Sequence, residues 1–280
     1  MIKIVADTTS GIPPEKAREL GIAYIPQIII FGNEAYRDDT EIDNVTFLQK
    51  LRSSPVLPKT AAPQPPLYTP IYQEFGQKGN TIVVICPSAE VSGTVRSATI
   101  AAQDFPEADI RILDTRTIGA GLASLVLKAV EWVNQGMGAD ELVQKIMEMS
   151  AREKVYFLVD TLEYLHKGGR IGGAQKLVGG ILQVKPILTL KNGRAEAAES
   201  QRTKQRAVAR LKELVITDYP KDRNGYLSIM HGGVEEEAIA LAKDLATQLN
   251  VKPENIPIYF LPPAILVHAG PGVLGVSFFT

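Results

Sequence analysis

The stretch TIVVIC at Thr81–Cys86 runs directly into PSAEVSGTVRSA at 87–98, and the reading of this passage decides the fold. An unbroken β-branched and apolar run is a strand buried on both faces. The polar loop behind it carries Ser92 and Gly93, and residues 95–104 read as a helix. Strand, loop and helix in succession make the unit of a mostly parallel sheet covered by helices. Working outward, residues 2–6 form a strand that ends in the polar turn Asp7-Thr8-Thr9-Ser10. Pro13 and Pro14 then open a helix that closes near Gly21, the usual places for those residues. Residues 25–31 and 110–114 read as strands, 47–51 as a short helix, and 55–66 as a proline-rich loop. Two helices follow at 121–134 and 140–151, the second with Leu142, Ile146 and Met149 on one face.

Beyond residue 152 the pattern changes. A strand at 155–159 leads into the glycine-rich run HKGGRIGGAQKLVGG at 166–180. Segments 186–190 and 194–198 flank Asn192-Gly193, a strong hairpin signal. Helices are expected at 204–215 and 235–249, the latter with Ile239, Ala242, Leu245 and Leu249 inward, and strands at 226–230, 256–261 and 273–279. The expected fold is therefore α/β with two domains. Residues 1–152 hold a mostly parallel sheet with flanking helices, and residues 153–280 a mixed α/β sheet.

With 280 residues, 45% hydrophobic and 22% charged, the chain has the composition of a folded globular protein. A net charge of -1 lacks the basic footprint of a dedicated nucleic-acid binder. The one cysteine, Cys86, lies in an apolar run, reads as a core thiol and fits a reducing, cytoplasmic setting. The N-terminus has no signal-peptide pattern, and no apolar run approaches the length of a membrane span.

Few residues are arranged for bond-breaking chemistry. Ser92 stands at a helix start beyond a strand, where an open α/β sheet binds ligands and free backbone N–H groups favour an anion. Gly93 lets a ligand approach the backbone; the plainer reading of Ser92 is a helix N-cap. Thr60 sits in the stiff proline-rich loop, where an ordinary connector is the alternative. A triad of Ser92, His268 and Asp7 lacks the G-x-S-x-G elbow, since Glu90 and Thr94 occupy its glycine positions. His166, His231 and His268 are not spaced as metal ligands, and His268 is expected in the loop VHAGPG between two strands. The run 167–173 is neither a P-loop nor a dinucleotide fingerprint; it is a flexible loop or a mobile basic segment that meets a phosphorylated group or a partner protein.

Several motifs fall in a shared order: IVADTTSGIP at 4–13, YRDDTEI at 36–42, LPKT at 57–60, VSGTVRSA at 91–98, DTLEYLHKGGRI at 160–171, KPIL at 185–188 and the H-x-G-P-G of His268 to Gly272. Together they resemble the DegV family of bacterial fatty-acid-binding proteins over nearly the whole chain. The resemblance implies a two-domain α/β carrier with a long-chain fatty acid buried between or within its domains, and no other cofactor, metal or catalytic residue. It implies Thr60 and Ser92 as ligands of the carboxylate, with His268 close by and Gly93 and Thr94 completing the headgroup set. It further implies presentation of the acyl carboxylate to a fatty acid kinase, with Arg170 and Arg202 facing that partner. The family's T-S-Q-P is here Thr60-Ala61-Ala62-Pro63, which removes two hydrogen-bonding side chains. The alternative is an enzyme acting on acyl or phosphoryl groups through the glycine-rich basic loop and His268.

Overall fold

The computed structural model describes residues 1–177, 184–222 and 224–280. Strand β1 (Ile2–Asp7) passes through a 3-10 turn at Thr8–Ser10 and helix α1 (Pro14–Glu19) into β2 (Ala23–Ile25). Next come β3 (Ile28–Phe31), β4 (Glu34–Arg37), α2 (Asn44–Ser53), β5 (Lys59–Ala61) and α3 (Thr69–Phe75). The stretch quoted first forms β6 (Thr81–Cys86) and α4 (Thr94–Ala102), followed by β7 (Asp109–Asp114), α5 (Ala120–Asn134) and α6 (Ala139–Ala151). The remainder comprises β8 (Glu153–Leu158), α7 (Glu163–Lys167), β9 (Lys185–Lys191), β10 (Arg194–Gln201), α8 (Lys204–Asp218), β11 (Ser228–His231), α9 (Glu235–Leu249), β12 (Ile258–Phe260), α10 (Pro263–Ala269) and β13 (Leu274–Phe279).

Three sheets result. The first is four-stranded and parallel, in the order β2-β1-β6-β7. The chain leaves β1 for β2 on one side and returns to β6 on the other, so the order reverses between β1 and β6. A crevice opens at such a reversal, beyond the carboxyl ends of the strands. The second sheet, six-stranded, has the order β10-β9-β8-β13-β11-β12, with only β11 and β12 parallel. All of its strands come from residue 153 onward. Its period-2 alternation separates two faces. Tyr156 and Leu158 pack with Leu211, Val215 and Leu241 of α8 and α9, whereas Val155 and Phe157 face the opposite core. Helix α5 is buried along most of its length and packs on strands of both sheets, as a helix apolar nearly all round must.

Several expectations need correction. The expected strand at 25–31 is two strands in different sheets, broken at Pro26-Gln27. The proline-rich loop contains β5, which joins β3 and β4 in a small antiparallel sheet. Ile239 is exposed, and α9 buries Ala238, Leu241, Ala242, Leu245 and Ala246 instead. The glycine-rich run is partly helical, as α7 and a 3-10 turn at Gly172–Leu177, and its last residues lie outside the described part. The hairpin at Asn192-Gly193 forms with both residues at positive φ, 50° and 79°, as its tight turn requires. Among the described residues, no helix is long and apolar enough to cross a membrane, and no cluster of His, Cys, Asp and Glu is placed to hold a metal.

Candidate functional site: an amphipathic cavity between the sheets

A cavity lies where the crevice of the parallel sheet meets the inner face of the larger one. Its walls are mostly apolar: Val91, Ile118, Val155, Phe157, Leu165, Leu190, Ala195, Met230, Leu261, Ala264, Ile265, Ala269 and Val273. The polar lining is confined to Thr9, Gln27, Thr60, Ser92, Arg170 and His268. Such a space suits a ligand with one polar end and a long apolar remainder.

Thr60 is held by the register of β5, where it lies opposite Ile29 of β3. Its Oγ1 is 2.9 Å from His268 Nε2. His268 lies in the last turn of α10, not in a loop; Pro262 and Pro263 open that helix and Gly270 ends it. Burial, and then the neighbouring Arg170 guanidinium, push the imidazole down to about 4, so it is neutral near pH 7. His268 Nδ1 is buried without a hydrogen-bond partner, pressed against Gly168, where a Cβ would stand 2.3 Å from it. A bare Nδ1 is cheaper to bury than an unsatisfied N–H. The favoured tautomer therefore donates from Nε2 to Thr60 and leaves the Thr60 hydroxyl hydrogen free for the cavity.

Ser92 is placed by a turn in which its N–H donates to Ser88 O at 3.0 Å. It is not the N-cap of α4, a position that Gly93 occupies. Its Oγ lies 2.9 Å from Thr94 Oγ1. Thr94 does not line the cavity: its hydroxyl donates to Asp7 Oδ2 at 2.7 Å and accepts from Gln27 Nε2 at 3.1 Å. Gly93 is also outside the lining and abuts Ala62, whose Cβ would be 3.2 Å from a Cβ at 93. Ala61 and Ala62 do not reach the cavity either. Arg170, expected on a partner-facing surface, is part-buried in the cavity wall; it donates from Nη1 to Gly168 O at 2.8 Å and from Nε to Val91 O at 3.2 Å. Arg202 is exposed just beyond β10. A Ser92-His268-Asp7 triad does not assemble, because His268 bonds Thr60 and Ser92 bonds Thr94.

Sequence reasoning missed the acid network behind the polar wall. Asp7 is buried at the end of β1 and accepts from Thr9 N at 2.9 Å, from the Thr9 hydroxyl, and from Gln27 Nε2 at 2.7 Å, in addition to Thr94. Burial raises its pKa while these donors oppose the rise. Asp38, on the far side, accepts from Thr8 Oγ1 at 2.7 Å and Gln27 N at 2.9 Å, and burial pushes it up to about 7. The grouping of Asp and Thr in the turn after β1 was the available signal. The hairpin of β9 and β10 covers the site: Leu190 and Ala195 flank its turn, Ser88 Oγ donates to Gly193 O at 2.9 Å, and Arg194 pairs with Glu90.

Comparison with known proteins agrees with this architecture. The model of a family described as "Uncharacterised protein, DegV family" matches residues 1–280. A DegV domain-containing protein of Streptomyces coelicolor is 35% identical over 281 residues, covering 98% of this chain and 97% of its own. The structure of a DegV family protein from Thermus thermophilus, described as fatty acid binding, superposes with a TM-score of 0.91 at 31% identity over 100% of this chain and 99% of that one. That of DegV from Bacillus subtilis, described as a fatty acid binding protein, gives 0.86 at 28% identity over 100% and 99%. Matched by the family model from residue 1 to residue 280 and superposing over its whole length on a solved member, this chain belongs to the DegV family.

Proposed function

We propose that the protein binds a long-chain fatty acid in this cavity, in the cytoplasm, and presents its carboxylate to a fatty acid kinase for acyl phosphate formation, doing no chemistry itself. The observation that carries the reading is the lining, apolar but for Thr9, Gln27, Thr60, Ser92, Arg170 and His268, with His268 beside both Thr60 and Arg170. A buried carboxylate is costly unless hydrogen-bonded, and the hydroxyls of Thr60 and Ser92 offer that contact. Each methylene moved from water into the apolar part contributes about 0.8 kcal/mol, enough over a long chain to drive binding. The solved relatives described as fatty acid binding support the same ligand class. On this reading residues 1–152 supply the headgroup hydroxyls, and residues 153–280 add His268 and Arg170 and close over the ligand. The exposed Arg202 faces the kinase, while Arg170 serves the cavity wall.

The test is native mass spectrometry of the freshly purified protein followed by organic extraction. A stoichiometric mass released as a free fatty acid is expected. A protein that is empty and also takes up no added fatty acid overturns the reading.

A further inference from the structure

The cavity wall leaves one hydrogen-bond question open, and counting hydrogens answers it. Thr94 has a single hydroxyl hydrogen and three polar neighbours: Asp7 Oδ2, Gln27 Nε2 and Ser92 Oγ. When Asp7 is ionised, that hydrogen goes to Asp7, the contact with Gln27 is accepted, and Ser92 must donate to Thr94. Ser92 Oγ also lies 3.3 Å from Thr94 N, which donates to it. In this arrangement Ser92 presents only a lone pair to the cavity, and a lone pair repels a carboxylate. When Asp7 carries a proton on Oδ2, the chain reverses. Asp7 donates to Thr94, Thr94 donates to Ser92, and the Ser92 hydrogen is released towards the cavity.

We propose that Asp7 is a positioning residue that sets the direction of this hydrogen-bond chain, so that the loaded site holds one proton shared between Asp7 and the ligand carboxyl group. The proposal rests on the fatty-acid reading above. Either Asp7 is neutral and Ser92 donates to a carboxylate, or Asp7 is ionised and the acid itself donates to Ser92. Both arrangements hold the same number of protons, as two coupled carboxyl groups that share one do. The surroundings favour the shared proton. Asp38, Tyr24, Tyr68 and Cys86 are the titratable groups facing Asp7 from neighbouring elements, and none is a cation. The same cavity is lined by His268, which is neutral, and by Arg170, which donates from Nε to Val91 O and from Nη1 to Gly168 O and makes no hydrogen bond to Ser92. Arg170 can offset charge, but it supplies Ser92 with no hydrogen.

The experiment is titration calorimetry of the delipidated full-length protein with palmitate, below its solubility limit, in buffers of different ionisation enthalpy between about pH 6 and 9. In the wild type, uptake is expected to rise to about one proton per ligand at the alkaline end, with affinity falling about tenfold per pH unit there. Asp7→Asn, which has no group to titrate, should bind with no proton uptake. Thr94→Val, which frees Ser92 from the chain, should behave likewise and serves if the Asp7 variant does not fold. His268→Gln should keep the uptake. Binding without proton uptake in the wild type overturns the proposal, as does uptake that persists in both Asp7→Asn and Thr94→Val or disappears only in His268→Gln. Failure of palmitate to bind at all would sink the fatty-acid reading as well.

Discussion

Two hydroxyls face the same cavity from different origins, and they are not equivalent. Thr60 sits on a three-residue edge strand and is backed by a neutral histidine that donates to it. Ser92 sits in the loop beyond β6 and is backed by a threonine whose hydrogen belongs to a buried carboxyl group. The first is a ready donor over the ordinary pH range. The second is a donor only on condition. A polar contact is thus defined by the groups behind it as much as by the side chain that makes it.

Removing both hydroxyls at once breaks the comparison most severely. Thr60→Ala with Ser92→Ala should cost about 3 kcal/mol or more of fatty-acid binding, a loss above about a hundredfold, with the fold intact by circular dichroism. The single variants sharpen it. Near pH 9, Thr60→Ala should weaken binding roughly tenfold more than Ser92→Ala, and the gap should close towards pH 6, read by titration at both values. Arg170→Met removes hydrogen bonds to Val91 O and Gly168 O that tie the cavity wall together. Release of bound acid should become a few-fold faster in exchange against labelled acid, about 1 kcal/mol in barrier. The His268 imidazole should also titrate at higher pH, because a cation that holds it down is gone.

Glu153 provides the smallest effect on binding and the cleanest control. It is a part-buried carboxyl group, pushed up to about 7 by desolvation while Ser277 donates to it, but it does not line the cavity. Its folded pKa lies above its unfolded value, so ionisation opposes folding as pH rises through about 7. Glu153→Gln should be more stable than wild type by on the order of 2 kcal/mol at pH 8 and equal to it near pH 4, by denaturant unfolding at each pH. Its palmitate affinity and proton uptake should match the wild type.

Local pattern explains what was legible beforehand. The run Thr81–Cys86, the proline that opens α1 and the Asn192-Gly193 turn each carry their structural instruction within a few residues. The failures are non-local. β5 is three residues among prolines and is a strand only because β3 lies beside it. Residues 25–31 are apolar but for Gln27, and although Pro26 marks a break, nothing short-range says that it passes the chain from one sheet to another. At the site, Thr60 and Ser92 could be named from sequence, yet Thr94 meets Asp7 across 87 residues, and that pairing sets what Ser92 can do. The resemblance implies an outward, partner-facing Arg170; the carbonyls of Val91, distant in sequence, and of Gly168, in the irregular stretch beside it, hold it in the wall.

The cavity takes its walls from residues as far apart as Thr9 and Val273, so it exists only while the two large sheets are docked. A molecule held there has affinity for the docked form and little for either half alone. By mass action, occupancy at a hundred times the dissociation constant adds about 2.7 kcal/mol to the stability of that form. The ligand is in this sense part of the mortar between the halves, and the loaded protein should melt later than the empty one.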